Sequence, residues 1–368
     1  LDLFKDCGAP CMVFAEVTGS IQNIPNISLS KRPKLNDDDW SKLISRINEI
    51  SKMMEDEGMP LAYHHHMGTV IETEEETLRS DTLYYWLENE YAIFQSNGSI
   101  KNTNIYVKAQ DGWVNQKKGE AFLNKNVQIT NLENNSILRA DTSYLFNEMN
   151  HSISYGNALL SMPLNEDTLY LTADTIFQQK KIEGNLLEAY PKANFKSVDM
   201  VGFCDSLSHL TKEENLFLNK EPVIWLDQFQ LTSDSIRILL NKDLIKMAFL
   251  NKSAFITSEV DSNSFNQISG ENMKAYFHEN ELSNIEVIGN GESIYYIEEE
   301  KKSDALGVNK IICSNMNITI DDRQIENIYF YKEPDAMLYP LGQINPNELL
   351  LKGFSWRNKS NVENIIHG

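Results

Sequence analysis

The stretch "LTADTIFQQ" (171–179) decides how this chain is read, because the sequence repeats it in altered form. Its siblings are "LRSDTLYYW" (78–86), "LRADTSYLF" (138–146), "GFCDSLSHL" (202–210) and "LTSDSIRIL" (231–239). Each places a small residue, then Asp, then a small polar residue, then usually an apolar one. With Asp111 of "AQDGWVNQ" (109–116), the aspartates are Asp81, Asp111, Asp141, Asp174, Asp205 and Asp234. Their steps are 30, 30, 33, 31 and 29 residues. "ISGENMKAY" (268–276) and "ICSNMNITI" (312–320) continue the series with Glu271 and Ser314, after steps of 37 and 43. The residues two places on are Leu83, Trp113, Ser143, Ile176, Leu207, Ile236, Met273 and Met316, all apolar except Ser143. Self-similarity at such a period predicts stacked units, none of which buries its apolar face alone.

Each unit has a second half, such as "EAFLNKNVQIT" (120–130), "NLFLNKEPVIW" (215–225), "KMAFLNKSAFITS" (246–258), "NIEVIGNGESIYY" (284–296) and "NIYFYKEPDAMLY" (327–339). All read as strand, short polar turn, strand. The expected fold is mainly β: an elongated, repetitive β-jellyroll or solenoid-like stack of antiparallel strands. The recurrent aspartates are structural in this reading, since Asp before Ser or Thr at a strand bend can satisfy nearby backbone N–H groups. A residue needed once per unit is not a catalytic residue. The aromatics Tyr84, Tyr85, Trp86, Tyr144, Phe146, Tyr295, Tyr296, Tyr329, Phe330 and Tyr331 are expected in the core or in cross-strand pairs.

The first 76 residues follow another pattern. "CMVFAEV" (11–17) predicts a strand and 37–57 a helix, capped by Asn36 or Asp37 and stopped by Gly58 and Pro60. Trp40, Leu43, Ile44, Ile47, Ile50 and Met54 give that helix one apolar face. "LAYHHH" (61–66) predicts a second strand, and strand–helix–strand is a βαβ unit. His64 and His66 face one way along an extended segment and His65 the other, with Glu16 on the preceding strand. A catalytic metal needs three or more converging ligands, and two strands do not supply them. These residues are therefore remnants at most, and no metal is expected.

A net charge of −20 argues against nucleic acid, which requires a basic face. Cys7, Cys11, Cys204 and Cys313 match neither a zinc spacing nor a disulfide framework. No apolar run approaches membrane-spanning length, and the start at Leu1 shows no signal peptide, so the chain reads as a fragment or a processed product.

Two resemblances follow from these strings. "AEVTGSIQ", "LSKRPKLNDDDW" and "LAYHHHMGTVIETEEE" resemble inosose dehydratase, a TIM-barrel family of the xylose-isomerase type. That resemblance implies a cobalt- or manganese-dependent lyase acting on an inosose, of which residues 1–76 would be a βαβ fragment. "LTADTIF", "FCDSL", "PVIWLDQFQLTSDSI", "GNGESIYY", "KEPDAMLYP" and "LLLKGFSW" resemble the OstA-like family, most closely that of Bacteroidetes-type Gram-negative bacteria. It implies a non-enzymatic periplasmic or outer-membrane-associated protein of lipopolysaccharide transport and outer-membrane assembly. Its apolar β groove would hold acyl chains of lipopolysaccharide or another envelope lipid, and its strand edges would pair with other lipopolysaccharide-transport proteins. An envelope interaction module without a lipid is the alternative. The expected organisation is 1–76, then an OstA-like domain over 77–358 closed by Gly353, Phe354 and Trp356, then a tail over 359–368. No Gly-, Pro- or Ser-rich linker separates the two parts near 71–79, so the chain reads as a chimera.

Overall fold

The computed structural model describes residues 6–15, 17, 19–21, 33–63, 77–146, 150–164, 167–182, 184–241, 244–299, 302–321, 324–340 and 345–363. They fall into two compact units, Leu1–Ser154 and Tyr155–Gly368.

In the first unit, β1 (Met12–Phe14) and β2 (Leu61–Tyr63) pair in parallel, with Val13 opposite Ala62. Helix α1 (Asp37–Asp56) lies between them in sequence. The Asn36 side chain accepts from the Asp39 N–H at 2.9 Å, and three aspartates occupy the first turn, where the helix dipole favours them. At the other end Gly58 adopts φ +69° and its N–H donates to Glu55 O at 2.8 Å. Ile47 and Met54 are buried, but Ile44 is 50% and Ile50 46% exposed. The apolar face of this helix is thus buried only in part. These described residues form a βαβ unit and not a TIM barrel.

The same unit holds β3 (Thr77–Arg79), β4 (Thr82–Trp86), β5 (Tyr91–Lys101), β6 (Ile105–Asn115), β7 (Glu120–Asn131) and β8 (Ile137–Phe146), paired antiparallel. β5 pairs with β4 through its first half and with β3 through its second. Between the halves Ser96 and Asn97 take left-handed φ of 61° and 56°; Lys125 and Asn126 do the same in β7, at 61° and 53°. The sequence reading expected turns between separate strands at such points. The structure corrects this: each pair is a bulge at which one strand bends and its register shifts.

Leu83, Phe94, Gly112, Leu123 and Ser143 stand across from one another, and Phe94, Leu123 and Ser143 are at most 1% exposed. Ser143, the polar exception, lies 2.7 Å from the Ser154 hydroxyl, so its burial leaves no unpaired oxygen. Asp111 departs from the expected repeat. It stands opposite Gln95 and Asn124, level with Thr82 and Thr142, so Gln110 is the equivalent of Asp81 and Asp141. A slip of one residue changes faces. Trp113 therefore joins Tyr84, Ile93, Phe122 and Tyr144 on the other face, with ring centroids 6.2 Å from Phe122 and 6.0 Å from Tyr144. These aromatics are cross-strand pairs rather than core.

β9 (His151–Pro163) runs from the first unit into the second. There follow β10 (Thr168–Lys181), β11 (Gly184–Tyr190), β12 (Ala193–Lys196), β13 (Met200–Cys204), β14 (Ser206–Leu210), β15 (Asn215–Asn219), β16 (Val223–Leu226), β17 (Phe229–Thr232) and β18 (Ser235–Asn241). Longer strands come next: β19 (Leu244–Asp261), β20 (Ser264–His278), β21 (Glu281–Glu299), β22 (Lys302–Asp321), then β23 (Gln324–Tyr331) and β24 (Asp335–Pro340).

Pairing in this unit splits into two ladders at the bends. One runs from the second half of β10 through β11, β14, β15 and β18, then through half of each long strand to β23. The other runs from the first half of β10 through β12, β13, β16 and β17, then through the remaining halves to β24. Ile176, Leu207, Ile236, Met273 and Met316, the apolar repeat positions, form one row of the first ladder and are at most 4% exposed. Fully burying such a side chain contributes about 1.5–3 kcal/mol.

Residues 345–363 then cover one face of the second ladder. Gln267 donates to Leu349 O at 2.8 Å and accepts from Leu351 N at 2.9 Å. Gln230 does the same with Ser355 O at 2.6 Å and Arg357 N at 2.8 Å. Leu349 and Leu351 pack with Phe255, Ile294, Tyr296 and Val308; Val362, on the short helix α2 (Ser360–Glu363), packs with Val201, Val223 and Trp225.

Candidate functional site

Alternation along β11, β12 and β14 sends every second side chain between the two ladders of the second unit. Leu187, Leu207 and Leu216 come from the first ladder; Leu171, Phe195 and Met200 come from the second. Together with Met162, Leu164, Leu169, Leu240, Leu244 and Ile245 they line a cavity of about 400 Å³. Its polar members are Asp167, Ser197, Asp199, His209 and Asn280.

The polar groups are tied to loops at strand ends. The Val198 N–H donates to Asp167 Oδ2 at 2.6 Å. Glu279 and Asn280 take left-handed φ of 52° and 66° and turn β20 into β21, as a tight hairpin requires. Asn280 then donates to Asp199 Oδ2 at 2.7 Å and accepts from the Ile245 N–H at 2.8 Å. One side chain thus links a loop of each ladder beside the cavity. His209 Nδ1 sits 2.9 Å from Asn215 O and donates its proton to that carbonyl. Phe195 keeps its place because Gly202 stands beside it. A Cβ on Gly202 would overlap the Phe195 ring and come within 2.7 Å of Val223 O.

The repeat aspartates lie elsewhere, at the bends. The backbone N–H groups of Asp81, Asp174 and Asp234 donate to Ser96 O, Pro191 O and Lys252 O at 2.9–3.1 Å. Those of Asp205 and Ser314 reach Lys220 O and Lys332 O at 3.5 and 3.4 Å. The carboxylates also reach across the bend. Asp81 accepts from Asn97 at 2.7 Å, and Asp205 pairs with Lys220 at 2.7 Å. Asp111 pairs with Lys125 at 3.1 Å and Asp174 with Lys192 at 3.6 Å. The lysines are exposed, so each pair contributes at most about 1 kcal/mol. Glu16, His64, His65 and His66 lie outside the described residues. Among the described residues no group of three or more His, Cys, Asp or Glu is placed to hold a metal, and no helix is long and apolar enough to cross a membrane.

Sequence reasoning missed the residue before four of the bends. Ser80, Cys204, Ser233 and Cys313 donate to the carbonyl oxygen two residues on, Cys204 at 3.2 Å, Ser233 at 2.8 Å and Cys313 at 3.1 Å. Burial pushes the Cys204 thiol up to about 12 and raises that of Cys313. The signal was present as a small residue before each Asp, read only as small. The cavity was missed too, because Leu187 and Leu207 look like any inward strand residues.

No family model matches the chain. The inosose dehydratase of Glaesserella parasuis serovar 5 (strain SH0165) is 32% identical over 105 residues, 27% of this chain and 35% of that protein. The rhizopine catabolism protein MocC of Rhizobium meliloti is 35% identical over 79 residues, 22% of this chain and 24% of that protein. The chain therefore spans about a quarter to a third of the length of these curated relatives. Among solved structures, LptH of Pseudomonas aeruginosa aligns with a TM-score of 0.28 at 11% identity, over 31% of this chain and 82% of its own. It is the LptA homologous periplasmic component of a lipopolysaccharide transport device. The resemblance to inosose dehydratase read from the sequence thus has counterparts among known proteins.

Proposed function

We propose that the β portion is a non-enzymatic jellyroll carrier that shelters acyl chains of lipopolysaccharide or another envelope lipid between its two ladders. The periplasm, in lipopolysaccharide transport or outer-membrane assembly, is its place of action. The observation that carries this reading is the cavity of about 400 Å³ lined from both ladders by leucines, isoleucine, methionines and Phe195. That volume lies within the range of about 300–1,000 Å³ usual for ligand sites. Each methylene moved there from water contributes about 0.8 kcal/mol, so a chain is held without charge contacts.

The last strands support a partner. Among the described residues β23 and β24 both pair with β22. Tyr329 and Tyr331 are 51% exposed, Met337 53% and Leu338 65%. Edges of this kind pair with a strand of another molecule unless blocked, which suits hand-over between transport proteins.

The test is the lipid that co-purifies with the protein from a Gram-negative host, extracted and identified by mass spectrometry. Leu187→Trp, which fills the cavity, is expected to lower its amount about tenfold at unchanged fold, a loss of about 1.4 kcal/mol in affinity. Equal lipid in both proteins contradicts the reading.

A second reading, a cobalt- or manganese-dependent lyase, has the likeness to inosose dehydratase behind it. It would rest on Glu16 and His64–His66. Metal analysis of protein purified with cobalt and manganese decides it: a stoichiometric ion supports a lyase remnant, and none opposes it.

A further inference from the structure

The polar groups of the cavity share one property that bears on its ligand. Asp167 and Asp199 each commit Oδ2, to the Val198 N–H and the Asn280 side chain. Each keeps a second carboxylate oxygen. In its neutral form, His209 presents Nε2 as an acceptor, since Nδ1 donates to Asn215 O at 2.9 Å. Asn280 has already used its oxygen on the Ile245 N–H. Among the described lining residues there is no Lys or Arg. The lining thus offers acceptors and negative charge beside a greasy interior, the opposite of a phosphate site, which needs cations or aimed N–H groups.

We propose that the cavity takes a single-chain amphiphile whose polar end donates hydrogen bonds and carries positive charge, an amine rather than a phosphate. This rests on the reading that the space between the ladders holds an acyl chain, and of the lipids named there it selects another envelope lipid over phosphate-bearing lipopolysaccharide. The chain enters among Leu171, Leu187, Leu207 and Leu216, and the ammonium lies against Asp167 and Asp199, with His209 accepting one of its protons. A phosphate in that position would face two carboxylates at the solvent-facing mouth of the cavity, and like charges repel. An alcohol donates but carries no charge, so it binds between the two.

The experiment uses the full chain and three chain-matched probes, dodecylamine, dodecanol and dodecyl phosphate, each below its aggregation threshold. They compete against an uncharged fluorescent hydrophobic probe. Dodecylamine is expected to bind at least about tenfold tighter than dodecyl phosphate, because attraction of the one head group and repulsion of the other add. Asp167→Asn with Asp199→Asn keeps the shape and the acceptor of each side chain, and is expected to erase that preference while leaving dodecanol unchanged. Glu213→Gln with Glu221→Gln removes the same net charge from turns that do not line the cavity, and is expected to keep it. The proposal is overturned if dodecyl phosphate binds as well as the amine, if the preference survives Asp167→Asn with Asp199→Asn, or if it disappears in Glu213→Gln with Glu221→Gln. If dodecanol and dodecylamine both fail to bind, the acyl-chain reading falls with it, and that outcome is distinct from a loss of charge preference alone.

Discussion

Cys204 shows how much one bend depends on a small donor. It is 3% exposed, and its thiol donates to the carbonyl two residues on, as the hydroxyls of Ser80 and Ser233 do at their bends. Its pKa is raised from 9.0 to about 12, mainly by burial. Below pH 9 the thiol is protonated in both folded and unfolded chains, so its contribution is complete. Between pH 9 and 12 the unfolded thiol ionises first, and that contribution is lost as pH rises. Urea unfolding at stepped pH is expected to show wild type losing stability relative to Cys204→Ser above pH 9; parallel profiles contradict this. A thiol reagent at neutral pH is expected to label the exposed Cys7 in the folded protein and Cys204 only after unfolding. At this scale the sequence was legible where a residue recurs with its neighbours, as at Asp174 and Asp234. It misled at Asp111, where "QDG" offers an aspartate one place beyond the true repeat position. The left-handed pairs were not legible, since Lys-Asn, Lys-Ser and Lys-Glu have no glycine to announce them.

Strands of this fold are defined by their bends as much as by their lengths. "KMAFLNKSAFITS" reads as two strands about a polar turn, but Lys252 and Ser253 only kink β19 and pass it from one ladder to the other. Hydrophobic alternation gave the strands; it carries no information on whether a break leads to a hairpin or a corner, because both use left-handed residues. The segment 345–363 is the other element that composition hides. It is held by two buried glutamines, each pairing with a backbone carbonyl and an N–H two residues further on, as a strand neighbour would. Gln267→Leu leaves Leu349 O and Leu351 N without partners, at a cost of about 1–3 kcal/mol per group. The urea midpoint is expected to fall accordingly, and Trp356, 5.3 Å from Phe265 between ring centroids, to show changed fluorescence. An unchanged midpoint contradicts the strap's role. In β13, Gly202→Ala is expected to destabilise by about 1–3 kcal/mol through overpacking and to push Phe195 into the cavity, lowering probe binding. Binding equal to wild type contradicts that placement of the ring.

For the whole molecule, the fold class was legible and the cavity was not. Repetition pointed to a stack of antiparallel strands, and the paired ladders are such a stack. The cavity needed coordinates, because it arises from facing rows that are far apart in sequence, such as Leu171 and Leu216. The N-terminal similarity covers a small share of a lyase and leaves the β portion to be explained by its own geometry. Leu338→Lys is expected to reduce any self-association seen by sedimentation, because charge on an edge strand blocks pairing; association that persists unchanged places the interface elsewhere. The central claim is that lipid lies between the ladders. A photo-crosslinking residue placed at Leu187, which faces the cavity, and in a second protein at its neighbour Glu188, which faces away, tests it most directly. Irradiation in cells of a Gram-negative host is expected to yield a lipid adduct at Leu187 and none at Glu188; equal adducts at both positions, or none at Leu187, contradict the account.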